Sequence, residues 1–549
     1  MRIGSRHPHT VMRSLMMVLA QTSLVMASPM AHAVGASVSA VNANQPLDGF
    51  ISYSIEFSSF PDFAGNKSSP NEFSNNLLDN LGALAGVKPY IRVGGNTQDY
   101  AIYNSALSIA LNGTYNNSRS PDYPTTIEIG PSYFESYSTW PNVKFSHGFN
   151  LGGNHDDRQW ETLLETTALA CKAIGKDKLY WWEYGNEPDL FATSSQGPVR
   201  PSNYNESDYV REWLNGTRAI KSVLEANCPD LLGNDTYGYL APSFAGTNNH
   251  LKTPRTWADG LDEDGDIELF SSHNYISGAE SPGVTLQGTL MNHTRTALSV
   301  AAHTAENTAI NPGIPYILGE TNSLYNQGRP GLSNSFGAAL WAVDFAVHSA
   351  AVGIARIHFH MGTNYRYASW QPVQTDKTDV GTKPPYYGNV AAAAFVGKAG
   401  TRVAPVTLEG EGVNPETDVA YVAFTGDEEG ALARILVLNL RAYNYTLNGT
   451  GGPELNPATR PVRTYRFADL DLGAGAQGTV RRLHANGSDA VTGITWDGWS
   501  YNYELDNGRP VRLENVTVGE TVEVVDGAVE VQVPDSEAVI LDFGTVAEK

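Results

Sequence analysis

Residues 178–191 read KLYWWEYGNEPDLF. The aromatic run is too short for a helix and has the composition of a buried strand. Gly185-Asn186 ends it, and Glu187 follows directly before Pro188. A strand that runs out onto a carboxylate raises two questions: how many such strands there are, and whether a second carboxylate answers the first.

Seven more runs of this kind lie between residues 49 and 362. They are GFISYSIEF (49–57), PYIRVGG (89–95), VKFSHGFN (143–150), YLAPSFAG (239–246), LFSSHNYI (269–276), PYILGET (315–321) and GIARIHFHMG (353–362). With 178–186 as strand four, the count is eight. Helical periodicity lies between several of them. Residues 157–175 carry apolar positions at helical spacing, with Asp156 and Gln159 resembling a capping box. Residues 207–227 form a second pattern. Residues 333–353 form a third, with Ser333 or Asn334 as cap and Gly353 as stop. Strands alternating with helices predict an α/β fold, a (β/α)₈ TIM barrel. An open doubly wound sheet is the alternative, but neither GxGxxG nor a P-loop follows an early strand.

Beyond about residue 395 the texture changes to short alternating strands such as ARILVLNL (433–440), separated by Gly, Asn and Asp turns. Residues 396–549 are therefore expected to form an antiparallel β-sandwich. Residues 34–395 are assigned to the barrel, with 34–46 placed to add a strand to the sandwich.

The chain has 549 residues and 58 Asp+Glu against 36 Lys+Arg, a net charge of −22. Such a surface repels phosphate, which argues against a nucleic-acid partner. Arg2, Arg6 and Arg13 precede an apolar run at 15–26, and Ala31-x-Ala33 offers a cleavage site, so residues 1–33 read as a secretory leader. The run is too short to span a bilayer, and no membrane association is expected. Eleven N-x-[ST] sequons, at Asn66, Asn112, Asn116, Asn205, Asn215, Asn234, Asn292, Asn444, Asn448, Asn486 and Asn515, suit a secreted glycoprotein carrying most of them on surface loops. Secretion permits a disulfide between the two cysteines, Cys171 and Cys228; their positions near predicted helix ends leave pairing open.

Barrel enzymes carry their chemistry at the C-terminal strand ends. The ionisable residues there are Glu56, Asp99, Glu187, His273, Glu320, His358 and His360. Glu187 and Glu320 end strands four and seven in apolar settings. Across a barrel mouth they can converge to the roughly 5–5.5 Å needed for double displacement at a glycosidic carbon. A single strand-end Glu is ordinarily a cap or ion-pair partner; an ordered pair is a different matter. The proton donor needs a raised pKa, which Trp181, Trp182 and a nearby negative charge would provide. Asn186 is placed to bond a sugar 2-hydroxyl, and Pro188 to restrict the backbone beside Glu187.

YGNEPD (184–189) followed by ILGETNS (317–323) resembles the retaining glycoside hydrolases of clan A, and within them family 79, which includes heparanase and β-glucuronidases. SIEFSSF (54–60), IRVGGNTQD (91–99), FSSHNYI (270–276) and FHMGTNYRY (359–367) fit the same family in the same order, and the likeness covers essentially the whole mature chain. The resemblance implies Glu187 as acid/base and Glu320 as nucleophile. It implies Glu56 at the sugar's distal hydroxyls, with Asn96 and Thr97 beside it, and His273 and Tyr275 packed near the nucleophile. Tyr325 and a strand-eight tyrosine, Tyr367 in preference to Tyr365, would hold the sugar carboxylate. Heparanase-like chains have a glycine run after the first tyrosine. Here Asn326-Gln327-Gly328 stands instead, so the side chains of Asn326 and Gln327, or Gly328 itself, would have to supply the contact.

Arg92, inside strand two, is open to a barrel-core ion pair or to substrate binding. DEDGD (262–266) lacks EF-hand spacing and reads as a solvated acidic loop. His358 and His360 share a strand face without a third ligand and read as barrel lining rather than a metal site. The expectation is a secreted retaining exo-β-glucuronidase that needs no cofactor. It would act on a glucuronic-acid-containing oligosaccharide or proteoglycan side chain, with 4-O-methyl-glucuronic acid as a variant sugar. The alternatives are an endo-acting heparanase-like enzyme and a non-catalytic carbohydrate-binding protein on the same fold.

Overall fold

The structure is a computed structural model that describes residues 34–37 and 43–544, apart from 154–155, 195–196, 234, 427–429 and 450. The leader assigned to residues 1–33 and the sequon at Asn234 lie outside the described residues.

Eight parallel strands close into a barrel, each beside its sequence neighbour. They are Ile51–Glu56, Ile91–Gly94, Phe145–Phe149, Leu179–Tyr184, Tyr239–Phe244, Ile267–Gly278, Tyr316–Tyr325 and Arg356–Met361. Closure is made by the eighth strand on the first, where His360 is level with Ser54. All eight expected runs are present. Strands six and seven are longer than expected, because they stay paired beyond the mouth as far as Gly278 and Tyr325.

Helices return the chain outside the barrel, notably Gln159–Lys178, Glu206–Asn227, His293–Ile310, Phe336–Ala351 and Pro384–Val396. The caps differ from expectation. Asp156 accepts from the Arg158 amide, and Gln159 turns its side chain to the Asn150 carbonyl, so no capping box forms. The helix after strand seven is capped at Ser335 rather than Ser333 or Asn334. Ser333 Oγ instead bonds Ser323 and accepts from the Arg329 amide, and Asn334 accepts from the Gly331 amide. Gly353, at φ 95°, stops the helix as expected. Cys171 and Cys228 are joined in a disulfide between two neighbouring helices.

The barrel floor is an aromatic plug. Arg356 lies 3.9 Å from the centre of the Tyr90 ring and 4.9 Å from that of Tyr180, and pairs with Asp48 at 3.0 Å. Trp181 packs with Tyr180, while Trp182 is fully buried against Phe149. Neither tryptophan lines the cavity that Glu187 faces. They build the lower barrel, and do not form the apolar surround expected for Glu187.

After strand two the chain makes an insertion with its own three-stranded sheet, Ala101–Tyr103, Leu111–Thr114 and Thr126–Ile129. Beyond the barrel, a nine-stranded sheet faces a three-stranded one across a core that includes Ile435, Val437, Phe467, Val531 and Leu541. The smaller sheet contains Val34–Ser37, which pairs in parallel with Val462–Ala468. The two units meet at a buried polar cluster, where Asp344 bonds His293 at 2.8 Å and Tyr421 at 3.0 Å.

The 262–266 loop exposes Glu263, Asp264 and Gly265 as expected, but it is tied down at both acids and at its end. Arg218 clamps Asp264 and Glu263, and Asp266 is buried. Among the sequons, Asn292 is buried and caps a helix by accepting from the Arg295 amide. No helix of the described residues is long and apolar enough to cross a membrane.

Candidate active site

The C-terminal strand ends open into a cavity of about 610 Å³ lined by Glu187 and Glu320. One nitrogen or oxygen atom from each of Glu187, His273 and Glu320 lies within 4.8 Å of the others. The carboxyl groups of strands four and seven thus meet at the close spacing of a double-displacement pair.

The two carboxyls have opposite surroundings. Glu320 has donors on both oxygens: Tyr275 OH donates to Oε1 at 2.7 Å and Arg92 Nη1 to Oε2 at 2.7 Å. His360 Nδ1 stands 3.4 Å from Oε2. Burial would raise its pKa, but His360, His273 and Arg92 outweigh that and hold it at about 2. The Glu187 carboxyl has one hydrogen-bond contact among the described residues, His273 Nδ1 at 3.0 Å from Oε1. Burial first, then the charge of Glu320, push it up to about 8. At moderately acidic pH one is an anion and the other an acid.

Backbone geometry aims Glu187. The residue is left-handed, at φ 52°, ψ 47°, and its N–H donates to the Ser243 carbonyl at 3.0 Å. A proline at the next position ordinarily draws a residue toward extended backbone, so Pro188 does not account for this conformation. Left-handed backbone at a non-glycine costs about 1–3 kcal/mol and persists only where the surroundings enforce it. Here the enforcing contacts are with Ser243 and, one turn on, with Asp189, a buried carboxylate that accepts from the Ala245 amide and from Asn249.

Arg92 joins the site together from inside the barrel. It is fully buried; Nε donates to Glu183 at 2.9 Å, Nη1 to Ser54 at 2.9 Å, and Nη2 to Asn186 Oδ1 at 2.8 Å. This leaves Asn186 with Nδ2 toward the cavity, 3.3 Å from Asn96 Oδ1. Arg92 is the barrel-core ion pair of the two readings left open, and it reaches Glu320 as well. Glu183 was missed as a site residue, and His360, read as barrel lining, stands 3.5 Å from Glu56 and 3.4 Å from Glu320. The signal for Glu183 was present: Arg92 and Glu183 are charges in the middle of apolar strands, which demand a partner.

Glu56 lines the cavity at the end of strand one. Its Oε1 accepts from Thr97 N at 2.9 Å and Oγ1 at 2.6 Å, and its Oε2 from Tyr365 OH at 3.1 Å. Thr97 and Tyr365 are thus fully engaged behind Glu56, and neither lines the cavity. Gly95, at φ 103°, lets this happen: a Cβ there would sit 2.8 Å from the Glu56 carboxylate.

Of the expected carboxylate contacts, Tyr325, Gln327 and Tyr367 line the cavity, as does Asn326. Asn326, Gln327 and Gly328 are consecutive left-handed residues, at φ 63°, 61° and 78°. The N–H of Gly328 is spent on the Leu324 carbonyl, so it does not serve as expected. The N–H groups of Asn326 and Gln327 meet no acceptor among the described residues. Arg366 holds this turn, donating to the carbonyls of Gln327, through its amide, and of Gly328, through Nε, while Nη2 pairs with Asp122 of the strand-two insertion at 2.7 Å. Arg119, from the same insertion, lines the cavity and was not anticipated.

Residues 420–540 match the family model for the glycosyl hydrolase family 79 C-terminal beta domain. The chain is 57% identical over 513 residues to a beta-glucuronidase of Neurospora crassa, covering 88% of this chain and 90% of that one. It is 50% identical over 552 residues to a beta-glucuronidase of Aspergillus niger, covering 98% and 99%. Among solved structures, a 4-O-alpha-L-rhamnosyl-beta-D-glucuronidase from Fusarium oxysporum 12S superposes with a TM-score of 0.71 at 23% identity, over 93% of this chain and 99% of that one. A GH51 arabinofuranosidase from Xanthomonas axonopodis pv. citri gives 0.59 at 14% identity over 93% and 99%. These two share the fold.

Proposed function

Since the chain belongs to glycosyl hydrolase family 79 and is a glycoside hydrolase, we propose that it is a secreted, N-glycosylated, retaining exo-β-glucuronidase. The observation that carries the mechanism is the pair itself: two carboxyls within 4.8 Å, one ionised by its donors and the other kept protonated by burial and its neighbour's charge. Glu320 attacks the anomeric carbon while Glu187 protonates the leaving oxygen. Forming the glycosyl ester removes the charge on Glu320, so Glu187's pKa falls and it becomes the base that deprotonates the incoming water.

Two features support glucuronic acid as the sugar. Tyr325 and Tyr367 flank the pocket on the strand-seven and strand-eight side, and the free N–H groups of Asn326 and Gln327 lie between them in chain order. Neutral donors of this kind bind a carboxylate without an ion pair. Glu56 meets the distal hydroxyls, and Asn186 Nδ2 the 2-hydroxyl.

Exo action is supported by the strand-two insertion. It is tied to the strand-eight loop by the Asp122–Arg366 pair at 2.7 Å and contributes Arg119 to the cavity lining beside Glu56. The leaving-group side, next to Glu187, is walled by Leu190, Phe191, Thr193, Val199, Ala245 and Asn249, without Lys or Arg among the described residues of that wall. That wall suits a neutral sugar, as in an arabinogalactan side chain carrying glucuronic acid or its 4-O-methyl ether. A sulfated heparan-type chain would find Arg119 as the one basic arginine or lysine among the described lining residues.

The test is hydrolysis of aryl β-glucuronide beside aryl β-glucoside and β-galactoside. A preference of roughly a hundredfold or more for the glucuronide is expected, since a buried polar contact set left unpaired is heavily penalised. A preference for either neutral glycoside would refute the assignment. The pH profile is a second check. Activity requires Glu320 ionised and Glu187 protonated, so kcat/KM should be greatest in the acidic range between the two pKa values of about 2 and about 8. It should fall on the alkaline side as Glu187 loses its proton. A maximum above neutrality would contradict the protonation states assigned.

A further inference from the structure

His273 is completely buried beneath the cavity floor, on strand six level with Glu320. Its Nδ1 touches Glu187 Oε1 at 3.0 Å, while its Nε2 is buried with no hydrogen-bond partner among the described residues. Glu187 Oε2 has no hydrogen-bond partner among the described residues either, and Glu187 lines the cavity. The acid therefore has two unlike oxygens: one against a buried imidazole, and one open to whatever enters the pocket.

Of the two neutral tautomers, Nε2–H would bury an N–H without an acceptor and set the Nδ1 lone pair against a carboxyl oxygen. The Nδ1–H form places the donor on the acceptor and leaves only a lone pair unpaired. We propose that His273 is a positioning residue held as the Nδ1–H tautomer, and that it thereby confines the transferable proton of Glu187 to Oε2, the oxygen facing the substrate. The inference rests on the assignment of Glu187 as acid/base.

The charged groups around the ring are Glu187 and Glu183 on strand four, Glu320 on strand seven, Arg92 on strand two and His360 on strand eight, with His303 on the outer helix. Burial pushes His273 down to about 4; Glu320 and Glu183 oppose this, and Arg92 and His360 reinforce it. The ring is thus neutral while Glu187 works. In the first half-reaction the Oε2–H bond breaks as the proton joins the leaving oxygen, and the Nδ1–H bond to Oε1 strengthens as charge appears. In the second, Oε2 takes a proton from water as the water oxygen bonds C1 and the ester to Glu320 breaks. The imidazole proton stays on Nδ1 throughout.

The test uses full-length enzyme labelled with ¹⁵N-histidine, free and after trapping with a 2-deoxy-2-fluoro-glucuronyl fluoride. The ring-nitrogen pair is assigned as the one lost in His273→Gln. A protonated Nδ1 and an unprotonated Nε2 are expected in both states. An Nε2–H tautomer in either state overturns the proposal. In the kinetic arm, His273→Leu should lower kcat by roughly tenfold to a hundredfold for an alkyl glucuronide, and by less for a dinitrophenyl glucuronide that needs little protonation. Losing a donor to the carboxylate raises the pKa of Glu187, so the alkaline limb should move to higher pH, and His273→Gln should restore part of both. Equal losses for the two substrates with an unmoved limb overturn the proposal. If the fluoride fails to label Glu320, the catalytic pair is wrong and not the role of His273.

Discussion

Glu320→Gln is expected to lower kcat by about 10⁴–10⁶, the loss typical of removing a covalent nucleophile. The amide fills the same space and cannot form the glycosyl ester. It also removes the charge that helps keep Glu187 protonated, so the alkaline limb of any residual activity should move to lower pH. Small anions sharpen the test. In Glu320→Ala, azide can enter from the nucleophile's side and should yield the α-glucuronyl azide. In Glu187→Ala, the intact Glu320 still forms the intermediate, and azide should yield the β-product. The product's anomeric configuration, read by NMR, separates the two roles. Near-normal turnover in Glu320→Gln, or a β-azide from Glu320→Ala, would sink the assignment.

The second large effect is on folding as well as on rate. Arg92→Met should destabilise the protein by about 3–5 kcal/mol, the range for breaking a buried ion pair from one side. Glu183 is left as a carboxylate with essentially no exposure, its remaining contact the Ser243 hydroxyl. Glu320 loses a donor at 2.7 Å and Asn186 one at 2.8 Å, so kcat/KM should fall by about 10²–10³. A double variant, Arg92→Met with Glu183→Gln, separates the two consequences. It removes the stranded charge and should regain most of the stability, with little of the activity. Urea unfolding and aryl glucuronide hydrolysis provide both measurements. An Arg92→Met protein as stable as the parent would mean that the network does not bear on the fold.

Much of this was readable from the chain, for physical reasons. A barrel strand buried on both faces is a continuous apolar run, and all eight runs stood out between turn residues. Glu187 and Glu320 stood out because strand ends are where a barrel exposes side chains. What failed was local. The Asp156/Gln159 spacing fits a capping box, yet Gln159 finds a better acceptor in the Asn150 carbonyl across the barrel rim. Trp181 and Trp182 looked like the surround of Glu187 because they are near it in sequence; along an extended strand, nearness in sequence becomes distance. Thr97 and Tyr365 were placed on the sugar and turn out to hold Glu56. No pattern in one dimension distinguishes a residue that touches the ligand from one that holds the residue that does. The left-handed turn at 326–328 was likewise out of reach, since Asn and Gln do not announce positive φ as a glycine run would.

The short strand at Val34–Ser37 has a consequence of another kind. Its partner, from Val462 onward, leaves the ribosome more than four hundred residues later. At about 5–20 residues per second, that is a delay of roughly twenty seconds to a minute and a half. The barrel can be complete before the small sheet has its second strand. During that interval the nascent chain carries an unpaired strand at its leading end, the kind of edge that invites pairing with other chains. The small sheet is therefore assembled from segments on both sides of the barrel in sequence, Val34–Ser37 before it and Val462–Ala468 and Val529–Pro534 after it, with the barrel as the long loop between them.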